Sequence, residues 1–125
     1  MPGPLDGIRV LDLTTVVLGP WAAQQLGDFG ADVVKIEPPE GDTTRKLGPQ
    51  RHEDMAAFFL GCNRNKRSLV LDLKQPAGRD ALLRLARDAD VLMHNFRPEP
   101  AAKLRLGYEV FKALNPRLVY CATYG

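Results

Sequence analysis

Near its amino end the chain changes hydrophobic period twice, and that change restricts its fold more than any other feature. Ile8 to Leu13 (IRVLDL) is short, apolar and partly β-branched, and it follows the turn residues Asp6 and Gly7, the pattern of a buried strand. Pro20 then opens a helical stretch, WAAQQLGDF, that stops at Gly30, because proline suits a first helical turn and glycine a helix end. Asp32 to Glu37 (DVVKIE) reads as a second strand, closed by Pro38 and Pro39, which donate nothing to a ladder. Strand, helix and strand within about thirty residues form a βαβ unit, whose strands run parallel through a right-handed crossover.

The same alternation recurs downstream. Residues 38 to 54 are aperiodic and rich in Pro, Gly and Thr, a loop long enough to be expected to be functional or mobile. A turn or two of helix is expected over Met55 to Leu60. A third buried strand is expected over Ser68 to Leu73. After Pro76, Leu82, Leu85, Ala86 and Ala89 fall on one helical face with Leu83 beside them. Asp90 to Phe96 supplies a fourth strand. Two short helical pieces between Ala101 and Leu114 are broken near Gly107 and stopped by Asn115 and Pro116, and RLVYCATYG supplies a fifth strand. No repeat or linker interrupts this order, so residues 1–125 are expected to form a single α/β domain, a Rossmann-like parallel sheet with flanking helices. Ligands of such sheets gather outside the carboxyl ends of the strands. The loops to inspect are therefore Thr14 to Gly19, Pro38 to Asp54, Lys74 to Pro76 and Asn95 to Pro98.

Composition narrows the partners. The 125 residues are 45% hydrophobic, enough for a core, and 17 Lys plus Arg against 15 Asp plus Glu leave a net charge of only +2. That balance argues against a nucleic-acid partner and makes any anion site local. Cys62 and Cys121 have neither metal-ligand spacing nor a framework of further cysteines, so they are expected to be reduced, buried thiols in a cytoplasmic protein. Neither a signal peptide nor an apolar run of membrane-spanning length is present in these residues.

The first loop, TTVVLGP, lacks the glycine fingerprint of dinucleotide binding, and no Walker phosphate loop occurs. Glu37 nonetheless lies where an NAD domain carries its ribose-binding acid. Basic residues fall into two groups. Arg64, Lys66 and Arg67 precede the third strand, whereas Lys74, Arg97 and Lys103 lie at or beyond the carboxyl ends of the third and fourth. The second group is on the ligand side, where Arg97 offers a fork for phosphate, with the Asn95 amide and Phe96 ring beside it. The competing reading is a set of ordinary solvated charges. His52 and His94 have no partner nucleophile in sequence, Asp12, Asp72 and Asp90 suit turns and caps, and Trp21 and Cys121 are expected to pack, with shaping of the ligand mouth as the other reading of Trp21.

Five segments, PLDGIRVLDLT, LGDFGADVVKIEPPEGD, NRNKRSLVLDLK, ADVLMHNFRP and LNPRLVYCATYG, resemble in order and spacing the beginning of the family III coenzyme A transferases. That family includes formyl-CoA and carnitine CoA transferases and the related alpha-methylacyl-CoA racemases. The resemblance implies a longer chain, of which this is an amino-terminal fragment, and a homodimer whose subunits interlock. It implies no prosthetic group and no metal. Coenzyme A or an acyl-CoA is the substrate, together with a carboxylic acid, and neither nucleic acid nor membrane takes part. The positions matching family CoA contacts are Val17, Leu18, Leu71, Asp72, Leu73, Lys74, Asn95, Phe96, Arg97 and Lys103. Pro38 stands where several relatives carry an arginine, leaving Lys35 and Arg45 as candidate substitutes. The catalytic aspartate of the transferases lies downstream of the segment matching ATYG, as do the His and Asp of the racemases, so no catalytic residue is expected within these residues. The alternatives are an alpha-methylacyl-CoA racemase-type enzyme and a non-catalytic nucleotide-binding or assembly module. The basic cluster Arg64, Lys66 and Arg67 is expected to meet a partner subunit, a further part of the chain, or the CoA phosphates.

Overall fold

The computed structural model describes residues 2–124. Five strands, β1 (Arg9–Leu13), β2 (Asp32–Glu37), β3 (Lys66–Val70), β4 (Val91–His94) and β5 (Val119–Ala122), form one sheet in the order β3-β2-β1-β4-β5. Every neighbouring pair is parallel. The helices are α1 (Leu18–Asp28), α2 (Ala57–Cys62), α3 (Pro76–Ala86), α4 (Pro98–Lys103) and α5 (Tyr108–Leu114), with a 3₁₀ turn at Thr43–Lys46. The Rossmann-like parallel sheet with flanking helices is as the residue pattern requires.

Strand alternation splits the core into two layers. Leu11, Leu13, Val34, Ile36 and Leu92 pack with Leu82 and Ala86 of α3 and Phe111 of α5. On the other face Val10, Val33 and Met93 pack with Ala23 of α1. The central strands are covered on both faces, which is why they are short apolar runs rather than half-polar ones.

Several boundaries depart from the residue pattern: β4 ends at His94 rather than Phe96, α4 begins at Pro98 rather than Ala101, and β3 and α1 also differ. β3 spans Lys66–Val70, not Ser68 to Leu73, because its register against β2 runs from Val33↔Lys66 to Glu37↔Val70 and ends where β2 ends. It is an edge strand of the sheet rather than a buried one, with Val70 56% exposed. Leu71 and Leu73 therefore belong to the loop after it, still packed on the core. α1 starts at Leu18, two residues before Pro20, since proline is tolerated anywhere in a first turn whose N–H groups lack helical partners. Trp21 is 55% exposed and does not pack as expected. Cys62 is buried and Cys121 is partly buried against the second core layer.

Candidate functional site

The carboxyl ends of β1 and β2 converge on a buried set of charges. Lys35 points off β2, is 1% exposed, and donates from Nζ to the Thr14 carbonyl (3.0 Å) and to Asp42 (2.9 Å). Asp42 caps the 3₁₀ turn by accepting from Thr44 N–H and Oγ1, and it also accepts from Val16 N–H at 3.3 Å. Glu37 grips Arg45 through two bonds of 2.7 and 2.6 Å, and the Arg45 guanidinium lies 3.8 Å from the Phe59 ring centroid. The long loop after β2 is thereby fastened to the sheet. Burial works to raise the Glu37 and Asp42 carboxyls, but hydrogen bonds from Arg45 and the Asp42 N–H, and from Thr44 and Lys35 respectively, outweigh it and leave both below their ordinary values.

These contacts bear on three sequence expectations. Glu37 is committed to Arg45 and the Asp42 N–H, so it holds no ribose. Lys35 and Arg45 are equally committed and stand in for no missing arginine. The basic cluster before and within β3 pairs inside the chain: Arg64 with Asp28, Lys66 with Asp12, and Arg67 with Asp32. Burial takes Lys66 out of reach of a partner subunit, a further part of the chain or CoA phosphates, whereas Arg64 and Arg67 keep most of their side chains exposed. Lys66 is the decisive member, since its side chain is 2% exposed and Nζ donates to Asp12, the Pro20 carbonyl and Asn63. Burial pulls this ammonium below its ordinary value, with Asp12 opposing.

The β1–α1 loop is shaped from both sides. Asp12 accepts from the Thr14 N–H and hydroxyl, the turn role expected of it. Asn95 binds Thr15 reciprocally, accepting its N–H at 3.1 Å and donating to its carbonyl at 2.9 Å. The Asn95 amide is thus spent on joining the loops after β1 and β4. Between these anchors Val16 is held at φ 73°, a left-handed conformation that a β-branched residue adopts only under external restraint. Val17 and Leu18 follow, both exposed.

Two adjoining hollows open at this end of the sheet. One, about 250 Å³, lies between Leu13, Ile36, Leu71, Leu73, Phe96 and Leu104, with Pro38, Glu40, Asp72 and Lys74 around it. The other, about 590 Å³, is bounded by Leu73, Lys74, Lys103 and Leu104, with Arg79 and Arg105 alongside. Leu73, Lys74 and Leu104 are common to both, so an apolar slot leads into a cationic groove. The first turn of α3 sits close to its entrance, and a side chain at Gly78 would run into the Asp72 backbone.

The structure thus brings together Leu71, Asp72, Leu73, Lys74, Phe96 and Lys103 around one opening. Arg97 is exposed at the amino end of α4, while Val17 and Leu18 lie outside both linings. Lys103 pairs with Glu99 at 3.2 Å, both side chains largely exposed. Sequence reading missed Leu104, Arg79 and Arg105. Arg79 reaches the carbonyls of Leu104 (3.3 Å) and Arg105 (2.9 Å), contacts 25 and 26 residues apart in sequence that no local pattern signals. Among the described residues no cluster of three His, Cys, Asp or Glu could hold a metal ion, and no helix is long and apolar enough to cross a membrane.

The sequence profile of CoA-transferase family III matches residues 5–125. The chain belongs to CoA-transferase family III. Its curated relatives include a succinate–glutarate CoA-transferase of Agrobacterium fabrum, 49% identical over 98% of this chain and 32% of that protein. An acetyl-CoA:oxalate CoA-transferase of Acetobacter aceti is 45% identical over 98% of this chain and 32% of its own length. The chain therefore spans about a third of the length of these relatives. Among solved structures, a CAIB/BAIF family protein from Brucella suis superimposes with a TM-score of 0.94 at 45% identity, covering 100% of this chain and 34% of that one. A short chain dehydrogenase/reductase family protein, at 22% identity and a TM-score of 0.54, shares the fold alone.

Proposed function

We propose that this chain supplies the CoA-binding crevice of an enzyme that transfers CoA between carboxylic acids. The observation that carries the reading is the apolar slot opening into a cationic groove at the carboxyl ends of the strands, within a member of CoA-transferase family III. The two halves match the two ends of the ligand. The slot suits the pantetheine arm, which is uncharged, and Lys74 and Lys103 suit the phosphates. Phe96 offers a flat wall, and the exposed Arg97, Val17 and Leu18, which lie outside both linings, are proposed to meet CoA beyond them. In this reading residues 1–125 act as one CoA-binding domain.

The acyl-accepting carboxylate is assigned to a part of the enzyme outside these residues. Covalent catalysis needs a carboxylate free to attack the thioester, and the buried carboxylates Asp12, Glu37 and Asp42 are each engaged by a cation. The donor is read as an acyl-CoA and the acceptor as a short dicarboxylic acid, since the relatives above are named for succinate, glutarate and oxalate. CoA enters as substrate rather than as a resident group. The same reading carries an interlocked homodimer and a cytoplasmic setting, with neither nucleic acid nor a membrane as partner.

Equilibrium titration with CoA tests the assignment. Lys74→Ala is expected to weaken binding about tenfold, the loss of one charge-assisted hydrogen bond, and Lys103→Ala to weaken it less because Glu99 already shares that charge. Arg64→Ala, on the far side of the sheet, is expected to leave affinity unchanged. Equal affinity in all three variants would remove the groove from the site.

A further inference from the structure

His94 carries a contradiction that the fold by itself does not explain. It ends β4, is 4% exposed, and its Nε2 is buried with no hydrogen-bond partner. A buried polar atom left unpaired is disfavoured, and an apolar side chain would fill this place without that cost. The other ring nitrogen shows what the histidine gains. Nδ1 accepts the Phe96 N–H at 3.1 Å, so the imidazole is neutral with its proton on Nε2. The ring also stacks on Phe96, with centroids 5.4 Å apart and planes 30° from parallel, and packs against Tyr120 at 5.0 Å. Tyr120 is itself fixed through its hydroxyl to the Leu106 carbonyl at 2.9 Å.

We propose that His94 is a positioning residue for the CoA crevice. It does so by closing the turn after β4 through Nδ1 and setting the Phe96 ring as a wall of the apolar slot. The turn needs an acceptor two residues before the Phe96 N–H, a role normally filled by Asn or Asp. The slot needs that ring held at one angle, which the stacked imidazole supplies. Histidine meets both demands, and the orphaned Nε2–H is the consequence. The neighbouring Asn95 cannot serve, because its amide is bound to Thr15. Burial lowers the affinity of His94 for a second proton, which keeps Nδ1 an acceptor.

This inference rests on the proposed function for its ligand but not for its geometry, so the test has two arms. The first uses no ligand. In the wild-type chain, ¹⁵N imidazole shifts are expected to show a protonated Nε2 and a bare Nδ1. Exchange of the Phe96 amide is expected to accelerate at least about tenfold in His94→Phe, which keeps a ring and loses the acceptor, and to stay within about threefold of wild type in His94→Asn, which keeps the acceptor. In the second arm CoA affinity is expected to fall about fivefold or more in His94→Phe and to recover in part in His94→Asn. A bare Nε2 in the wild type, or unchanged Phe96 exchange in His94→Phe, would overturn the proposal. If wild type binds no CoA, the functional reading fails while the exchange arm still judges the turn.

Discussion

Lys66 and Arg67 are adjacent basic residues on one strand, yet their surroundings give them opposite weights. Lys66 ends in a dry pocket against Asp12, with both side chains at most 2% exposed, so removing the ammonium strands a carboxylate in the core. Lys66→Met is expected to cost about 3–5 kcal/mol. Arg67 meets Asp32 at the surface, where water and salt screen the pair, and Arg67→Ala is expected to cost about 1 kcal/mol or less. Urea unfolding of the two variants checks the contrast, and equal midpoints would refute it. Sequence alone placed both residues in one cluster because neither partner is near in the chain: Asp12 lies 54 positions from Lys66 and Asp32 lies 35 from Arg67. The charges were legible and their pairing was not.

At the scale of elements, the succession of strands along the chain and their parallel direction could be read from period changes, because strands joined through a crossover helix run parallel, whereas the sheet order β3-β2-β1-β4-β5 could not. Strand ends were harder. The apolar alternation of SLVLDL continues past the end of the β2 ladder, where the Leu71 N–H makes a last bond to the Glu37 carbonyl, and only the register reveals that Leu71 and Leu73 lie beyond the strand and line the slot. The loop over residues 38 to 54 looked mobile because its restraints are single charged groups without period. Its attachment is predicted to be acid-sensitive. Glu37 and Asp42 have folded-state values below the ordinary 4.5 and 3.8, so each binds a proton more readily unfolded. Their stabilisation is complete above those ordinary values and drains as pH falls through the lower folded ones. Hydrogen exchange corrected for intrinsic rates should show protection of this loop collapsing below about pH 4 before the central strands open; simultaneous loss would contradict it. Gly78 tests the other rim of the crevice. Gly78→Ala forces a methyl group against the Asp72 backbone and is expected to destabilise by about 1–3 kcal/mol while weakening CoA binding through displacement of Lys74. A thermal melt and a CoA titration of this variant, both unchanged, would show the approach to be looser than the structure has it.

For the whole molecule, physics and kinship contribute different parts of the account. A doubly covered parallel sheet predicts where a ligand goes, and six of the ten positions matched by family resemblance do line the opening found there. The absent glycine fingerprint and the occupied Glu37 argue against a dinucleotide in that place. What no local pattern supplied was the role of the charged interior, in which Lys35, Asp42, Asp12 and Lys66 use their charge to hold the loops rather than a ligand. The claim that most needs testing is that the crevice recognises coenzyme A. The most direct measurement is calorimetric titration of this chain with CoA, with dephospho-CoA and NAD as comparisons. The account predicts saturable binding of CoA, weaker binding without the 3′-phosphate because Lys74 and Lys103 lose an anion, and none for NAD. Equal affinity for all three, or a preference for NAD, would contradict it.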